Sequence, residues 1–193
     1  SRAEYRILLR QDNADLRLTE MGWKMGLARE ERMIRVREKE AGIEKVLKAL
    51  ADISITPEEI DGLLGELNSA PLKHKIKAEA LINRPELSLA LLRTVSADLD
   101  EAVKSFDNEI LEQAEIQSKY AGYIRKEKEM ADKMIRLDDI RLPGTFDYHK
   151  ITALSFEGRE KLNKVKPDSL GQASRISGVT PADISVLMVY MGR

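Results

Sequence analysis

Arginine is the residue type whose spacing in this sequence suits a definite chemistry, and that chemistry is the binding of phosphate. Arg2, Arg6, Arg10 and Arg17 all lie in the opening stretch SRAEYRILLRQDNADLRL. A guanidinium group offers a planar fork of N–H donors that matches two oxygens of one phosphate. Through residue 50 there are 12 lysines and arginines against 9 acidic residues, a local excess of three. We therefore predict a phosphate-binding surface formed by these four arginines, whereas the basic residues of 29–50 are expected to be solvated and paired with glutamates.

Residues that could perform other chemistry are few. Cysteine is absent from the sequence, which excludes disulfides, thiolate zinc sites and cysteine nucleophiles. The two histidines, His74 and His149, do not have the spacing of a metal site. The adjacent carboxylates Asp138 and Asp139 point apart on a helix and suit a helix terminus better than acid–base catalysis. Neither type of glycine-rich phosphate loop is present. We predict no catalytic, cofactor-binding or metal-binding residue in this chain.

Composition favours helices and restricts the class of partner. The 193 residues are 42% hydrophobic but only 5% aromatic, which favours a core of aliphatic side chains between helices. Because 32 basic residues face 33 acidic ones, the net charge is −1, and nucleic-acid binding would need a local basic patch. No apolar run approaches the roughly 20 residues of a membrane span, and no signal-peptide pattern opens the chain. The sequence therefore predicts a cytoplasmic domain without a membrane segment.

Hydrophobic periodicity predicts a mainly α fold: two long helices with shorter helices and a small C-terminal helical bundle. The long helices are predicted over residues 28–50 and 107–137. The second is apolar on two adjacent faces and is expected to pack against more than one neighbour. The opening residues 1–18 are the exception, because their pattern predicts two short extended pieces separated by a turn at Asp12-Asn13.

Local signals predict where shorter helices begin and where the chain changes domain. Thr56, Pro57 and Glu59 form the pattern of a capping box followed by a helix. The decapeptide RLPGTFDYHK, residues 141–150, is predicted to be a linker because it combines Pro143-Gly144 with a shift in composition. The predicted organisation is an opening segment over 1–20, a helical domain over 21–140 and a small helical subdomain over 141–193.

The last subdomain is predicted to dock a protein partner. Its helices are expected near 155–164, 169–176 and 181–191. Leu187, Met188 and Tyr190 lie where an isolated domain would become polar, and methionine suits a surface that repacks on a partner. Packing of Leu187 and Met188 into the core is the alternative. The stretch SLGQASRISGVTPADISVLM also has features of a helix-turn-helix, although its spacing and its Thr180 depart from that motif.

Four stretches of the sequence together resemble one protein family. They are SRAEYRILLRQDNADLRLTE, INRPEL, EIQSKYAGYIRKE and KLNKVKPDSLGQASRISGVTPADISVLMVY. They are similar to the C-terminal region of the glucose-inhibited division protein A family (GidA/MnmG). That family supplies the larger subunit of the enzyme that installs (carboxymethyl)aminomethyl groups on carbon 5 of tRNA wobble uridines. The resemblance runs from the first residue nearly to the last and is loosest over residues 50–80.

The resemblance implies a role within a larger enzyme. It implies that the chain is a C-terminal piece joined at residues 1–20 to an FAD-binding domain that lies outside it. FAD, with NADH and methylene-tetrahydrofolate as substrates, would then belong to the parent protein. The resemblance implies that the parent protein is a homodimer and that this piece alone is inactive. Its expected partners are tRNA and the GTPase subunit of the same tRNA-modification complex.

Individual residues match the family's motifs. Arg2, Arg6 and Arg17 occupy the arginine positions of the opening motif and are, with Arg10, the expected tRNA-binding residues. The pattern Tyr-x-Gly-Tyr-Ile matches at 120–124. In the closing motif the matches include Arg175 and Thr180, which join the expected docking residues.

Three functions of different classes follow. The first is a tRNA-binding and partner-docking domain of an FAD-dependent enzyme. The second is an independent nucleic-acid-binding module of helix-turn-helix type, and the third is a structural helical adaptor. The net charge of −1 weighs against the second, because sequence-independent DNA binding needs several net phosphate contacts.

Overall fold

The computed structural model describes residues 5–192, which contain eleven α-helices and one two-stranded sheet. The prediction of a mainly α fold is confirmed. The helices are α1 (Ala14–Lys24), α2 (Glu30–Asp52), α3 (Pro57–Glu66), α4 (Ala78–Ile82), α5 (Leu89–Val95), α6 (Ala97–Val103), α7 (Asn108–Lys119), α8 (Ala121–Asp139), α9 (Phe156–Val165), α10 (Leu170–Ser174) and α11 (Pro181–Tyr190). The chain divides into two compact units, residues 1–125 and residues 126–193, and the division falls inside α8. The three-part organisation expected from the sequence stays a prediction.

Helix α2 is the centre of the first unit. One of its faces carries Val36, Ile43, Val46 and Leu50, and the last two side chains are completely buried. Full burial of one such aliphatic side chain stabilises a fold by about 1.5–3 kcal/mol. The approach of α7 to α2 is close, because a Cβ atom on Gly42 would lie 2.8 Å from Cδ1 of Ile110.

A small sheet and a capping box frame α3. Strand β1 (Ser54–Ile55) pairs antiparallel with β2 (Ile76–Lys77), and Ser54 lies opposite Lys77. At the start of α3 the backbone N–H of Thr56 donates to a carboxylate oxygen of Glu59 at 2.7 Å. The reciprocal capping box predicted from Thr56, Pro57 and Glu59 is therefore confirmed.

The opening segment forms turns followed by the start of α1 rather than strands. The two extended pieces predicted within residues 1–18 are therefore wrong over the part that the structure describes, whereas the predicted turn at Asp12-Asn13 is present. Residues 5–8 form turns, and α1 begins at Ala14. The alternation of Leu16 and Leu18 suggested a strand with one buried face. In the structure Leu16 packs against the core of the first unit, whereas Leu18 is exposed, because helical spacing pairs Leu16 with the buried Thr19 three residues later.

The second long helix is interrupted. Its first half, α7, contacts α2, α4 and α5, as predicted, whereas most of α8 is exposed. Helix α7 ends at Lys119 and α8 begins at Ala121. Between them Tyr120 has φ −102° and ψ 9°. The N–H of Ile124 still donates to the carbonyl of Tyr120 at 2.8 Å, so the chain bends without leaving a loop. In α8 Leu137 is buried, while Tyr123 is among several exposed apolar side chains, because charged residues occupy most of the helix between them.

The second unit has its own core, built from α9, α10, α11 and the segment after α8. That segment, 141–150, is not the free linker predicted from its sequence. Leu142 and Tyr148 are buried in the core, and the N–H of Leu142 donates to the carbonyl of Asp168 at 2.9 Å. Pro143-Gly144 lies on an exposed turn. Burial of the leucine and the tyrosine outweighs the flexibility that Pro and Gly suggested.

Candidate functional site

Arg6 and Arg10 lie in the turns that precede α1, and Arg17 lies on α1 itself. Arg10 shapes the turn that leads into α1. Its Nε donates to Asp12 Oδ1 at 3.0 Å, its Nη2 donates to Asp12 Oδ2 at 3.0 Å, and its Nη1 donates to the carbonyl of Ile7 at 2.8 Å. The hydrogen bonds from Arg10 hold the pKa of the Asp12 carboxyl below its ordinary value. Most of the donor capacity of Arg10 is therefore used within the protein.

The other opening arginines differ in how free they are to meet a ligand. Arg17 is exposed; its Nε donates to Asn13 Oδ1 at 2.9 Å and its Nη2 to the carbonyl of Arg10 at 3.3 Å. Both hydrogens on its Nη1 have no partner among residues 5–192. Arg6 is also exposed, on the turn that residues 5–8 form before α1. Arg2 lies outside the described residues. Arg6 and Arg17 are thus the members of the predicted set that present cationic surface.

A buried lysine fixes this turn and α1 to the rest of the first unit. Lys39 on α2 is 8% exposed, and its Nζ donates to Asp15 Oδ2 at 2.8 Å and to Glu109 Oε1 at 2.6 Å. Burial alone would lower the pKa of the Lys39 ammonium group, but its two carboxylate partners raise it. Next to it, Gln113 on α7 donates to Asp12 Oδ2 at 2.7 Å. The opening turn is therefore held by α2 and α7, which sequence reasoning missed because the partners are up to 101 residues apart.

A polar cleft of about 530 Å³ lies beside Lys39. Its basic lining residues are Arg29, Arg32, Arg35 and Lys39, and its acidic ones are Asp15, Glu31 and Glu109. Four cations against three carboxylates leave little net charge for a polyanion. The three arginines of the cleft are exposed: Arg29 directly precedes α2, and Arg32 and Arg35 lie on it.

In the second unit a buried carboxylate joins two helix starts. Asp183 is 2% exposed and accepts four hydrogen bonds: from Ser155 N at 2.7 Å, Ser155 Oγ at 3.0 Å, Thr180 N at 2.9 Å and Thr180 Oγ1 at 2.7 Å. Burial acts to raise the pKa of the Asp183 carboxyl, but these hydrogen bonds outweigh it and lower the pKa. Thr180, predicted to dock a partner, caps α11 in a reciprocal box with Asp183. The Thr-Pro-Ala-Asp spacing signalled this box, but not the link to Ser155.

Arg175, the second predicted docking residue, is held by an ion pair. Its Nη2 donates to Asp138 Oδ1 at 2.8 Å and its Nη1 to Asp138 Oδ2 at 3.0 Å. Both side chains are about half exposed. The Arg175 guanidinium lowers the pKa of the Asp138 carboxyl. The pair joins α8 to the residue after α10, and it gives Asp138 a structural partner beyond the helix-terminus position expected from sequence.

The three apolar docking candidates differ in how exposed their side chains are. Leu187 is completely buried in the core of the second unit, so its side chain is not available to a partner, and the alternative noted from sequence holds for it. Met188 is partly buried against the same core. Tyr190 is 59% exposed and contacts Phe146 edge-on, with 5.7 Å between ring centroids. Beside it Val189, which sequence reasoning did not single out, is 76% exposed.

The described residues contain no group of three or more His, Cys, Asp or Glu side chains placed to hold a metal ion. His74 and His149 are both exposed, as expected of surface residues. Among the helices of residues 5–192, none combines the length and the apolar character needed to cross a membrane. The arrangement can bind phosphate through exposed guanidinium groups, and it can present apolar and aromatic side chains to a partner.

Comparisons with known proteins agree on one family. The model described as the "tRNA modifying enzyme MnmG/GidA C-terminal helical domain" matches residues 30–128, and the corresponding "C-terminal helical bundle" model matches residues 130–193. Curated relatives named tRNA uridine 5-carboxymethylaminomethyl modification enzyme MnmG include those of Christiangramia forsetii, 49% identical over 195 residues, and Cytophaga hutchinsonii, 50% identical over 193 residues. Each alignment covers 100% of this chain and 31% of the relative.

A solved structure gives the same result for the fold. The structure of Aquifex aeolicus GidA in the form II crystal is 35% identical, with a TM-score of 0.65, and the match covers 100% of this chain and 29% of that one. The chain thus spans about a third of the length of the curated relatives that it matches.

Proposed function

The chain belongs to the MnmG/GidA family, whose C-terminal helical region it represents, and on that basis we propose that it binds tRNA and docks a protein partner for an FAD-dependent enzyme. The proposed reaction adds (carboxymethyl)aminomethyl groups to carbon 5 of the tRNA wobble uridine. The observation that carries this proposal is the match of two C-terminal family models over residues 30–128 and 130–193, together with the printed name of the relatives. In this proposal NADH and methylene-tetrahydrofolate are substrates of the complete enzyme, which works in the cytoplasm as a homodimer.

The residues of this chain do not fit FAD itself. A dinucleotide pyrophosphate is bound where a glycine-rich turn leads from a parallel strand into a helix N-terminus. The strands that the structure describes, β1 and β2, are two residues long and antiparallel, and neither is followed by such a turn. We therefore assign no step of the flavin chemistry to this chain, and we expect the purified protein to contain no bound flavin. A yellow preparation with stoichiometric FAD would contradict that expectation.

The tRNA-binding role is supported by the cationic surface of the first unit. Arg6 is exposed on the turn that Gln113 holds through Asp12, and Arg17 is exposed on α1, which Lys39 holds through Asp15. A preorganised turn loses little conformational entropy when a phosphate binds, so the guanidinium groups are suited to position a backbone without reading bases. Arg10 supports the turn through Asp12 and is expected to act on tRNA mainly through it. Arg2 remains a proposed tRNA contact on the strength of the resemblance.

The tRNA role is tested by titrating a labelled tRNA with the chain at several salt concentrations. The affinity falls as the salt concentration rises, and each phosphate contact that is lost should make the slope of log K against log salt shallower by about 0.9. Arg17→Ala is therefore expected to weaken tRNA binding and flatten the slope. Lys45→Ala, at an exposed basic position on α2 away from the opening turn, is the charge-matched control. Equal effects of the two substitutions would reject the assignment of Arg17 to the tRNA surface.

The partner-docking role is supported by the end of α11, where Val189 and Tyr190 are exposed beside the partly buried Met188. The proposed partner is the GTPase subunit of the same tRNA-modification complex. Arg175 and Thr180 contribute by holding the helices through Asp138 and Asp183. Exposed apolar side chains of this size are frequent at protein interfaces and are expensive to leave in water.

Substitution of an exposed valine tests the docking face. Val189→Asp should abolish capture of the purified GTPase by the chain, because a carboxylate would be buried at the interface without a partner. Val165→Asp makes the same change at an exposed valine on α9 and should leave capture intact. Retained capture with Val189→Asp, or loss with both variants, would reject this face.

The helix-turn-helix alternative finds no support in α11. A recognition helix presents basic and amide side chains to base edges. Helix α11 contains no lysine, arginine, asparagine or glutamine, and its one charged residue, Asp183, is buried in the capping network.

A further inference from the structure

Two tyrosines stand out on the surface of the first unit, at the bend between α7 and α8. Tyr120 is 48% exposed and Tyr123 is 63% exposed. Their ring centroids are 6.4 Å apart, and the ring planes are tilted by 53°. The tilt means that neither ring covers the face of the other. Within the described part of the chain neither hydroxyl makes a hydrogen bond. The pair therefore contributes nothing evident to the core or to a polar network.

The backbone displays this pair. Tyr120 occupies the position where the helix is interrupted, and Tyr123 follows one turn later on the same side of the chain. A Cβ atom on Gly122 would have no neighbour within 4 Å beyond its adjacent residues, so no other element covers that position of the helix. The Ile116, Tyr120 and Ile124 backbone bonds keep the bend ordered. Two aromatic rings are thus held on a fixed scaffold and exposed to solvent.

The charge around the pair indicates the class of ligand. Residues 119–126, KYAGYIRK, contain three basic side chains and no acidic one, in a chain whose overall charge is −1. Arg125 is exposed two residues after Tyr123, while Lys119 is held by Glu115 at 2.8 Å. Exposed aromatic rings interleaved with cations are what single-stranded nucleic acids need, because bases stack on the rings and phosphates pair with the cations. A purely apolar protein partner would not require the local positive charge.

We propose that Tyr120 and Tyr123 form a stacking platform for unpaired nucleotides of tRNA, with Arg125 binding an adjacent phosphate. This inference rests on the proposed tRNA-binding function and assigns part of it to a specific surface. Base-paired stems have no free base faces to offer, so the platform selects loops or unpaired ends. The opening arginines bind phosphate regardless of pairing, whereas the platform distinguishes paired from unpaired RNA.

Binding of three RNAs to the 193-residue chain tests the platform: a tRNA, a 12-nucleotide single strand and a 12-base-pair duplex. Tyr123→Ala is expected to weaken binding of the tRNA and the single strand about tenfold, because loss of one base–aromatic stack has an effect of that order. Duplex binding should not change. Tyr123→Phe keeps the ring and should bind within about twofold of the unsubstituted chain. Phe156→Ala removes an exposed aromatic ring of the second unit and should leave all three affinities unchanged.

Salt dependence separates stacking from charge. Tyr123→Ala should shift log K equally at every salt concentration, whereas Arg125→Ala should flatten the slope by about 0.9. If the unsubstituted chain binds no tRNA, the proposed function fails and the platform fails with it. If it binds tRNA but Tyr123→Ala binds as well, the platform alone is overturned. An equal loss for duplex RNA, or a change in sedimentation that shows the tyrosines joining two copies of the chain, would also overturn it.

Discussion

Replacing Asp183 with alanine should destabilise the second unit by about 3 kcal/mol. The carboxylate completes the start of α11 through Thr180 and also binds the N–H and hydroxyl of Ser155 at the start of α9. Loss of one helix cap costs about 1 and at most about 2 kcal/mol. Two caps depend on Asp183, and the side chain is 2% exposed, so water does not readily replace it. Asp183→Asn should cause an intermediate loss of stability, because the amide keeps one acceptor oxygen but turns its NH₂ group toward the N–H of Thr180.

The loss should depend on pH with a definite sign. The pKa of Asp183 is lower in the folded protein than its ordinary value of 3.8. Its contribution is therefore complete above about pH 4 and disappears as the pH falls through the folded pKa. The difference in stability between the unsubstituted chain and Asp183→Ala should stay constant from pH 5 upward and shrink below pH 4.

Hydrogen exchange with mass analysis is the suitable assay, because the two compact units need not unfold together. A loss of about 3 kcal/mol should speed exchange of the most protected amides of α9 and α11 about a hundredfold, and leave α2 unchanged. Asp168→Ala removes an exposed carboxylate of the same unit and serves as the control. A change of less than about 0.5 kcal/mol in α9 and α11 would refute the reasoning, since it would show that water replaces the carboxylate at both helix starts.

Four further substitutions test other contacts. Lys39→Met should lower the stability of the first unit by about 1–2 kcal/mol in urea unfolding, less than for a fully buried pair because one partner carboxylate is 66% exposed; an unchanged midpoint would contradict the role given to this lysine. Gly171→Ala should destabilise the second unit by about 1–3 kcal/mol, because its Cβ would meet the Asp138 carboxylate and lie 2.8 Å from the Asp138 backbone nitrogen. Gly62→Ala, on α3 with no neighbour within 4 Å, should instead stabilise the protein by up to about 1 kcal/mol; a lower melting temperature would show hidden crowding. Arg6→Ala should weaken tRNA binding and reduce its salt slope by about 0.9 without changing the melting temperature, and a fall in melting temperature with unchanged affinity would make Arg6 a structural residue.

Local signals were sufficient where a helix is determined by its own residues. The capping box at Thr56 and the apolar face of α2 depend on spacings of three and four residues, and both are present. The opening segment was misread because Leu16 and Leu18 alternate like a strand, and only the position of α2 decides which of them is buried. Residues 141–150 were predicted to be a linker because of Pro143-Gly144. Only the packing of the second unit shows that the leucine and the tyrosine of this segment are buried.

The candidate site shows the same division between local and long-range information. The presence of exposed arginines near the start was predictable from their number. Their different states were not, because Arg10 is engaged by Asp12 on a turn held by Gln113 from a helix about a hundred residues away. Burial of Leu187 likewise depends on packing between helices rather than on its distance from the chain end. Spacing along the sequence indicates which residues can act, and tertiary contacts decide which of them are available.

The central claim is that this chain binds tRNA, and competition between nucleic acids tests it most directly. A labelled tRNA bound to the 193-residue chain is challenged with unlabelled tRNA and with duplex DNA of equal phosphate content, at one fixed salt concentration near 0.15 M. The account predicts that tRNA competes at least tenfold more effectively than the duplex, since the platform adds contacts that a regular duplex cannot make. Equal competition by the two, or no saturable tRNA binding at all, would contradict it.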